Sequence, residues 1–381
     1  MKPLVRNSCF LLLINLTLFL LSLKWGYKSM TWAEVFRMDA ENIILQLRLM
    51  SALTASIAGA GLALAGLLLQ NLFRNHLAGP SILGITSFSS LTIAIILLVS
   101  QYLGIRMTSY LSLSYDFIIL LGSAIGALLC LTILFFFNNK NKVLSHLLIV
   151  GMMIAGFCGG LIQLADILLS KDNLQSITLW NLGSFKDCDY LQLGILFVIV
   201  LVSSILVFTK YNQYNIYQLG DEYARGLGVD IHALRRTTII VTALLSSSIT
   251  AFCGPIGFIG LAIPHIAFFM VKSHNFKYLI PYTILLGMAF SLICNIISNV
   301  SIFEISLPIN AITSLLGAPF CHLFIKKVAL CLNYCKSIIF ALDIPKNLSP
   351  MSKRFLNRMK FLLFSVSTAV AKPHYSKQSL D

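Results

Sequence analysis

Ten stretches of this chain are long and apolar enough to cross a membrane, and that pattern restricts its fold more than any other feature. A transmembrane helix needs about 20 consecutive, mostly apolar residues, and lipid favours helices because they satisfy their backbone hydrogen bonds internally. The candidate spans lie near residues 8–24, 46–72, 80–103, 115–137, 145–169, 190–209, 234–253, 256–272, 278–300 and 309–331. Since 57% of the residues are hydrophobic and 11% are charged, we predict an all-α fold, a polytopic transmembrane helix bundle of about ten spans.

Two Gly-Pro turns indicate an internal inverted repeat. Gly79-Pro80 lies at the start of the third span and Gly254-Pro255 at the start of the eighth. These places are equivalent if spans 2 to 5 recur as spans 7 to 10, and an offset of five spans inverts the second copy, as in many transporters. Such turns also occur at ordinary helix starts, so the predicted repeat rests on this one similarity.

Small residues recur four positions apart within several spans. The pairs are Gly59 with Ala63, Gly122 with Gly126, and Gly156 with Gly160. In lipid, small residues at this spacing allow two helix backbones to approach closely. We therefore predict close helix contacts at all three pairs.

Basic residues determine the predicted orientation. Cytoplasmic loops of membrane proteins carry an excess of Lys and Arg, and this chain has that excess on the cytoplasmic side if its N-terminus lies inside. Both termini are then cytoplasmic. The first apolar segment has no small-x-small cleavage site over residues 20–29, so we interpret it as a retained span and not as a signal peptide.

Residues 336–381 form a basic tail in a chain whose formal net charge is +14. Basic and apolar side chains interleave there, for example Arg354 with Phe355 and Arg358 with Met359. This pattern is typical of an amphipathic helix on an anionic membrane surface. Because the tail follows membrane spans, we favour binding to membrane lipids over binding to nucleic acid.

A charged segment, GDEYARGLG from Gly220 to Gly228, lies between the sixth and seventh spans, and further charged residues follow it as far as Arg236. Each charged residue at mid-membrane costs about 2.5 to 3.5 kcal/mol, so the segment must lie in water. Gly228 stands at a natural helix C-cap position. The sequence therefore predicts a short surface helix that serves as a docking surface.

Three motifs in order resemble those of one family. They are LQNLFRNHLAGPSILGITS from Leu69 to Ser87, GDEYARGLGV from Gly220, and GPIGFIGLAIPH from Gly254 to His265. This set is similar to the permease subunits of ABC importers for iron chelates, haem and vitamin B12. The resemblance implies a transmembrane permease domain over residues 1–335 and leaves 336–381 as a separate basic cytoplasmic tail.

The resemblance also implies roles for individual residues. The residues expected to couple the chain to an ATPase subunit are Gly220, Asp221, Glu222, Ala224, Arg225, Leu227 and Gly228. Asn75 and Leu77 are expected to form a cytoplasmic gate, with His76 where the family usually has proline, and Val143 and Leu144 fall at a second gate. Arg48 is expected to dock a binding protein. The expected pathway or packing residues are Gly254, Pro255, Gly257, Gly260, Pro264 and His265.

Several function classes lack their signatures in the sequence. There is no GxxxxGK[ST] phosphate-binding loop and no catalytic motif, so we predict that this chain is not an enzyme and binds no cofactor, and that ATP is used by a separate subunit. The nine cysteines form no CxxC pair, and Cys188 stands alone in an outer loop, so we interpret them as small packing residues and not as metal ligands or disulfide partners. An ion-coupled secondary transporter is the alternative, but its span carboxylates could only be Asp116 and Asp166, near span ends.

The resemblance implies an assembly and a substrate class. The chain is expected to work as a homodimer in the bacterial inner membrane, with two ABC ATPase subunits and a periplasmic or lipid-anchored substrate-binding protein. The expected cargo is a metal chelate, a ferric siderophore first and haem or cobalamin next.

Overall fold

The structure of the protein is a computed structural model that describes residues 2–26, 30–32, 34, 43–103, 112–140, 144–170, 178–299 and 307–317. In these ranges the regular secondary structure is helical throughout. The helices are α1 (Lys2–Lys24), α2 (Ile43–Leu72), α3 (Ile85–Tyr102), α4 (Ser112–Lys140), α5 (Leu144–Leu168), α6 (Tyr190–Thr209), α7 (Tyr211–Tyr217), α8 (Asp221–Gly226), α9 (Ile231–Cys253), α10 (Ile259–Val271) and α11 (Phe276–Asn299). The chain is also helical over 309–317.

The predicted all-α membrane bundle is confirmed. Helices long and apolar enough to span a membrane cover Ile43–Leu72, Ile85–Tyr102, Ile149–Leu168, Tyr190–Thr209, Ile231–Cys253 and Phe276–Asn299. Shorter apolar helices cover Ser8–Lys24, Leu120–Leu134 and Ile259–Val271. Each predicted span from the first to the ninth thus contains an apolar helix. The tenth continues past residue 317, and its remainder and the tail lie outside the described residues.

The two Gly-Pro turns precede their helices by several residues. Helix α3 begins at Ile85 after a residue with positive φ, Gly84 (φ 76°). Helix α10 begins at Ile259 after Phe258, which also has a positive φ of 65°. The third and eighth spans therefore begin a few residues later than predicted, because a turn with a left-handed residue separates each Gly-Pro from its helix. This likeness supports the equivalence of the two segments, and the inverted repeat stays a prediction.

Helix α2 lies at the centre of the bundle and packs against α9, α10 and α11. Its backbone touches two of these helices directly. A Cβ atom added to Gly66 would lie 2.6 Å from the Cα of Gly260 in α10, and one added to Gly59 would lie 2.6 Å from the Cβ of Ser291 in α11. The close contact predicted for Gly59 and Ala63 is confirmed, because a Cβ on Gly287 would also lie 2.6 Å from the Cβ of Ala63.

The other two pairs of small residues differ from each other. In α4, a Cβ on Gly126 would lie 2.8 Å from the carbonyl oxygen of Phe88 in α3, so this predicted contact is confirmed. In α5, a Cβ on Gly156 or Gly160 would meet no described atom within 4 Å. Among the described residues, the close contact predicted for α5 is therefore not found.

Candidate coupling and gate site

The charged segment folds as two short helices between the long helices α6 and α9. Helix α7 runs from Tyr211 to Tyr217 and α8 from Asp221 to Gly226. Glycines with positive φ flank α8, Gly220 (φ 121°) before it and Gly228 (φ 79°) after it. The backbone N–H of Gly228 donates to the carbonyl of Arg225 at 3.0 Å, which closes the last turn. The sequence predicted this short helix and its glycine at the end.

Helix α8 has one buried side and one open side. Ala224 is fully buried and packs with the core residues of α7 and α9. Tyr223 is 71% exposed and Leu227 is 60% exposed, and Glu222 and Arg225 are exposed beside them. A small surface that mixes exposed apolar and charged side chains is typical of a protein contact.

Asp221 lies on the inner side of α8 and joins two distant parts of the chain. Its carboxylate forms an ion pair with Arg74, which follows α2. It also accepts a hydrogen bond from Arg235 in α9 at 2.5 Å. The spacing of the sequence placed Asp221 beside Arg225, but the ion pairs found for it among the described residues are those with Arg74 and Arg235.

Tyr217 lies between these two arginines and orders them. The guanidinium carbon of Arg74 is 4.8 Å from the ring centroid of Tyr217, and that of Arg235 is 5.6 Å away. Arg235 donates to the Tyr217 hydroxyl at 3.1 Å, and this hydroxyl donates to the carbonyl of Leu72 at 3.3 Å. Tyr217 itself is only 3% exposed. Together with the Asp221 ion pairs, its contacts with Arg74, Arg235 and Leu72 fix α8 to the ends of α2 and α9.

The segment from Phe73 to Gly79, which we call the gate turn, contains both predicted gate residues. The Asn75 side-chain oxygen accepts a hydrogen bond from the Leu77 N–H at 2.9 Å, so Asn75 holds the turn. Leu77 is 44% exposed and points away from the packed core. Arg74 adopts a positive φ of 48°, a conformation that costs energy in a non-glycine residue. Its side chain donates to the Asp221 carboxylate and to the Tyr217 carbonyl, and these bonds help to offset that cost.

His76 replaces the usual proline and contacts α10. Its ring lies edge-on to Phe268, with centroids 5.6 Å apart, and 5.7 Å from the ring of His265. Partial burial lowers the pKa of His76 below its usual value, and the nearby His274 lowers it further. The histidine thus keeps the turn in contact with the bundle, although it lacks the restricted φ of proline.

A cavity of about 190 Å³ opens beside the gate turn. Its walls come from the end of α2, the gate turn, the end of α7, helix α10, the segment after it, and the first residue of α11. The lining residues are Gln70, Asn71, Arg74, His76, Gln218, Phe268, His274 and Phe276. The cavity lies where the gate turn meets the rest of the bundle, so this part of the molecule has room to rearrange.

The residues of the third motif lie around the start of α10. Gly254 has a φ of 75°, and the N–H of Gly257 donates to the side chain of Asn310 at 3.1 Å. A Cβ on Gly260 would lie 2.8 Å from Pro80, so the first Gly-Pro turn is in contact with the start of α10. Pro255 is half-buried, whereas Pro264 and His265 in α10 are buried. In the single chain these residues serve packing, and a role in the pathway stays a prediction.

Arg48, which was expected to dock a binding protein, is buried and not exposed. It is 8% exposed, and its guanidinium donates to the carbonyls of Leu23 at 3.0 Å and Lys24 at 2.9 Å. Arg48 therefore binds the C-terminal end of α1, where helix carbonyls lack partners. Its docking role stays a prediction.

The remaining predicted residues give less information. Val143 and the side chains of Leu144 and Asp116 lie outside the described residues. Among the residues that are described, no group of three or more His, Cys, Asp or Glu side chains is arranged to hold a metal ion. The roles of Arg74, Tyr217 and Arg235 were not predicted from the sequence. Arg74 could have been found most easily, because it stands inside the LFRN part of the first motif.

The geometry is that of an apolar helix bundle with a short charged helix between two long ones, and comparison with known proteins identifies the family. The chain belongs to the FecCD transport family, whose model matches residues 11–327. It is similar to the hemin transport system permease protein HmuU of Yersinia pestis, with 29% identity covering 82% of this chain and 92% of the relative. The molybdate import system permease protein MolB of Haemophilus influenzae is 32% identical, covering 78% and 86% respectively.

A solved structure has the same fold. It is described as an inward-facing conformation of a metal-chelate type ABC transporter, with a TM-score of 0.72 and 28% identity. The match covers 85% of this chain and 99% of the other. The fold is therefore that of an ABC transporter permease, and the chain is a membrane-spanning transport subunit.

Proposed function

We propose that this protein is the permease of an ATP-driven importer that carries a metal chelate across the bacterial inner membrane. A ferric siderophore is the first choice of cargo, and haem or cobalamin follow. The family and the metal-chelate type of the solved relative support this class. Relatives of comparable identity are named for hemin and for molybdate, so overall similarity does not select the cargo.

The single observation that carries the proposal is the arrangement of α8. Its open side presents Glu222, Tyr223, Arg225 and Leu227, which we assign to contact with an ABC ATPase subunit. Its inner side carries Asp221, which is bound to Arg74 of the gate turn. A displacement of α8 by the ATPase would therefore move the gate turn through one ion pair and the buried Tyr217.

The assembly we propose contains two copies of this chain, two ATPase subunits and a substrate-binding protein on the outer face. The face of α5 that carries Gly156 and Gly160 meets no described atom within 4 Å, and this is where we place the second copy. Leu77 of each copy would then approach the exit of a shared pathway. Loop 210–230 and both termini lie in the cytoplasm, and the tail over 336–381 rests on the inner leaflet.

An ion-coupled carrier is the second candidate, and the described spans favour it less. Its carboxylate would have to be Asp166, which lies near the end of α5, or Asp116. A coupling ion site is expected near the middle of the membrane. A force applied to α8 by a separate ATPase needs no such site.

The test is a charge reversal on the open side of α8. Stranding a charge at a subunit contact costs about 2 to 5 kcal/mol, so we expect Arg225→Glu to reduce uptake by at least about tenfold at a normal membrane level. Uptake of radiolabelled ferric siderophore, haem and cobalamin is measured in cells that depend on this chain. The control is Lys277→Glu, an exposed reversal near the start of α11. Wild-type uptake of all cargoes in Arg225→Glu cells would contradict the coupling role.

A further inference from the structure

The loop over residues 178–189, which we call the outer loop, is fixed to the end of α9. The Ser184 N–H donates to the carbonyl of Cys253 at 2.9 Å, and the Trp180 indole donates to the carbonyl of Ala251 at 3.4 Å. These contacts lie at the ends of α6 and α9 that are opposite to α8. If α8 faces the cytoplasm, the outer loop faces the outside.

Two cysteines lie in contact at this junction. Cys188 precedes α6 and Cys253 is the last residue of α9. Their sulfur atoms are 3.9 Å apart, and the Cys188 sulfur is 3.7 Å from the carbonyl oxygen of Phe252. Cys188 is 6% exposed and Cys253 is 2% exposed. The two thiols are therefore packed against each other and against the same stretch of backbone.

We propose that Cys188 and Cys253 form a disulfide that joins the outer loop to α9. The proposal rests on the orientation given above, because disulfides persist in oxidising compartments and thiols in the cytosol are kept reduced. A disulfide needs a sulfur separation of about 2.05 Å, and the two sulfurs already lie in contact at 3.9 Å.

The oxidation takes place by exchange with a protein disulfide outside the cytoplasm. One cysteine thiolate attacks a sulfur of the oxidant and forms a mixed disulfide. The second cysteine then displaces the oxidant, which leaves as a dithiol. The two cysteines lose two protons and two electrons, and the oxidant gains them. Because both thiols are buried in the folded chain, the exchange takes place before the outer loop docks.

The position of the bond gives it a structural role. It would hold the outer loop beside Gly254, whose added Cβ would lie 3.1 Å from the Cα of Gly183. It would thus lock the turn that precedes α10. Another buried cysteine has a different partner, since the Cys130 sulfur lies 3.4 Å from the carbonyl oxygen of Leu83.

The test counts reducible cysteines in the full chain. Membranes are quenched in acid and free thiols are blocked with N-ethylmaleimide in SDS. The sample is then reduced and labelled with maleimide-polyethylene glycol. We expect a shift of two labels for wild type, no shift for Cys188→Ser or Cys253→Ser, and two labels for the control Cys294→Ser. Digestion of unreduced wild type should give a linked peptide two hydrogen masses lighter than the sum of its parts.

A wild-type chain without shift and without linked peptide overturns the proposal, and orientation is checked separately. A cysteine at the exposed position Lys186, in the Cys188→Ser, Cys253→Ser background, is treated with a membrane-impermeant maleimide in intact cells with a permeabilised outer membrane. Labelling without a disulfide means that the pairing is wrong while the orientation stands. Absence of labelling means that the orientation is wrong, and the pairing fails with it.

Discussion

Two helices of this protein carry small residues at the same spacing and differ in what those residues contact. In α2, Gly59 and Ala63 meet the backbone of α11, and 89% of the 18-residue apolar stretch of the helix is buried. In α5, Gly156 and Gly160 meet no described atom within 4 Å, and 17% of the corresponding 18-residue stretch is buried. The spacing indicates a surface that tolerates close approach. It does not say whether the neighbour is in the same chain, another chain or the lipid.

The same distinction applies to the charged segment. The Asp221 carboxylate forms its ion pairs inside the chain, with Arg74 and Arg235. Glu222 and Arg225, on the other side of α8, are exposed. Interior contacts hold the single chain together, whereas the faces of α5 and α8 named here make no such contacts with the described residues. Substitutions at matched positions can separate these two classes of surface.

The largest effect is expected from a side chain added in the interior. In Gly66→Val the Cβ would overlap the backbone of Gly260 in α10, and neither backbone can move without shifting a helix. We expect a loss of more than about 3 kcal/mol in stability, seen as loss of the folded peak in size-exclusion chromatography. The control is Gly159→Val. It also places a β-branched residue in a helix, with the same loss of side-chain freedom, but its added Cβ would meet no described atom within 4 Å. Equal loss in both variants would contradict the distinction.

A larger side chain on α5 should weaken the dimer that we propose and leave the chain folded. We expect Gly160→Leu to shift the detergent-solubilised protein from dimer to monomer by multi-angle light scattering, because the second copy loses its close approach. Its thermal midpoint as a monomer should match that of wild type. Gly194→Leu in α6 is the control, since that glycine also has no neighbour within 4 Å. An unchanged dimer in Gly160→Leu would mean that this face of α5 contacts lipid.

A moderate effect is expected where the interior and the open surface meet in α8. Asp221→Asn removes the charge that binds Arg74 and Arg235 and keeps the size of the side chain. A hydrogen bond to a charged group is worth about 1.5 to 3 kcal/mol, and partial exposure reduces this value, so we expect uptake to fall roughly fivefold while ATP hydrolysis by the assembled complex continues. Glu222→Gln is the neighbouring control. If ATP hydrolysis and uptake fall in the same proportion, Asp221 serves assembly and not transmission.

The features that could be predicted from the sequence are those that depend on a local pattern of residues. Span lengths followed from hydropathy, and α8 followed from a charged run that ends at Gly228. The link between Arg74 and Asp221 joins residues 147 positions apart, and no spacing rule in a single sequence brings such residues together. The late start of α3 at Ile85 was missed because a Gly-Pro pair indicates a turn but not its length. The exposure of the Gly156 and Gly160 face of α5 was missed because the spacing of small residues is the same in α2, where the contacts are made, and in α5, where no described atom makes them.

The smallest effect concerns the contact between the gate turn and α10. The pKa of His76 is lowered in the folded chain, first by partial burial and then by His274, so the unfolded chain takes up a proton more readily. The contribution of neutral His76 is fully present above the unfolded pKa of about 6.5 and is lost as the pH falls through the lowered folded value. We expect the thermal midpoint of wild type to drop on acidification by about 2 °C more than that of His76→Gln. His232→Gln, an exposed histidine at the start of α9, is the control and should follow wild type. If His76→Gln shows the same acid dependence as wild type, protonation of His76 does not act on the gate turn, and its contact with Phe268 is a packing contact alone.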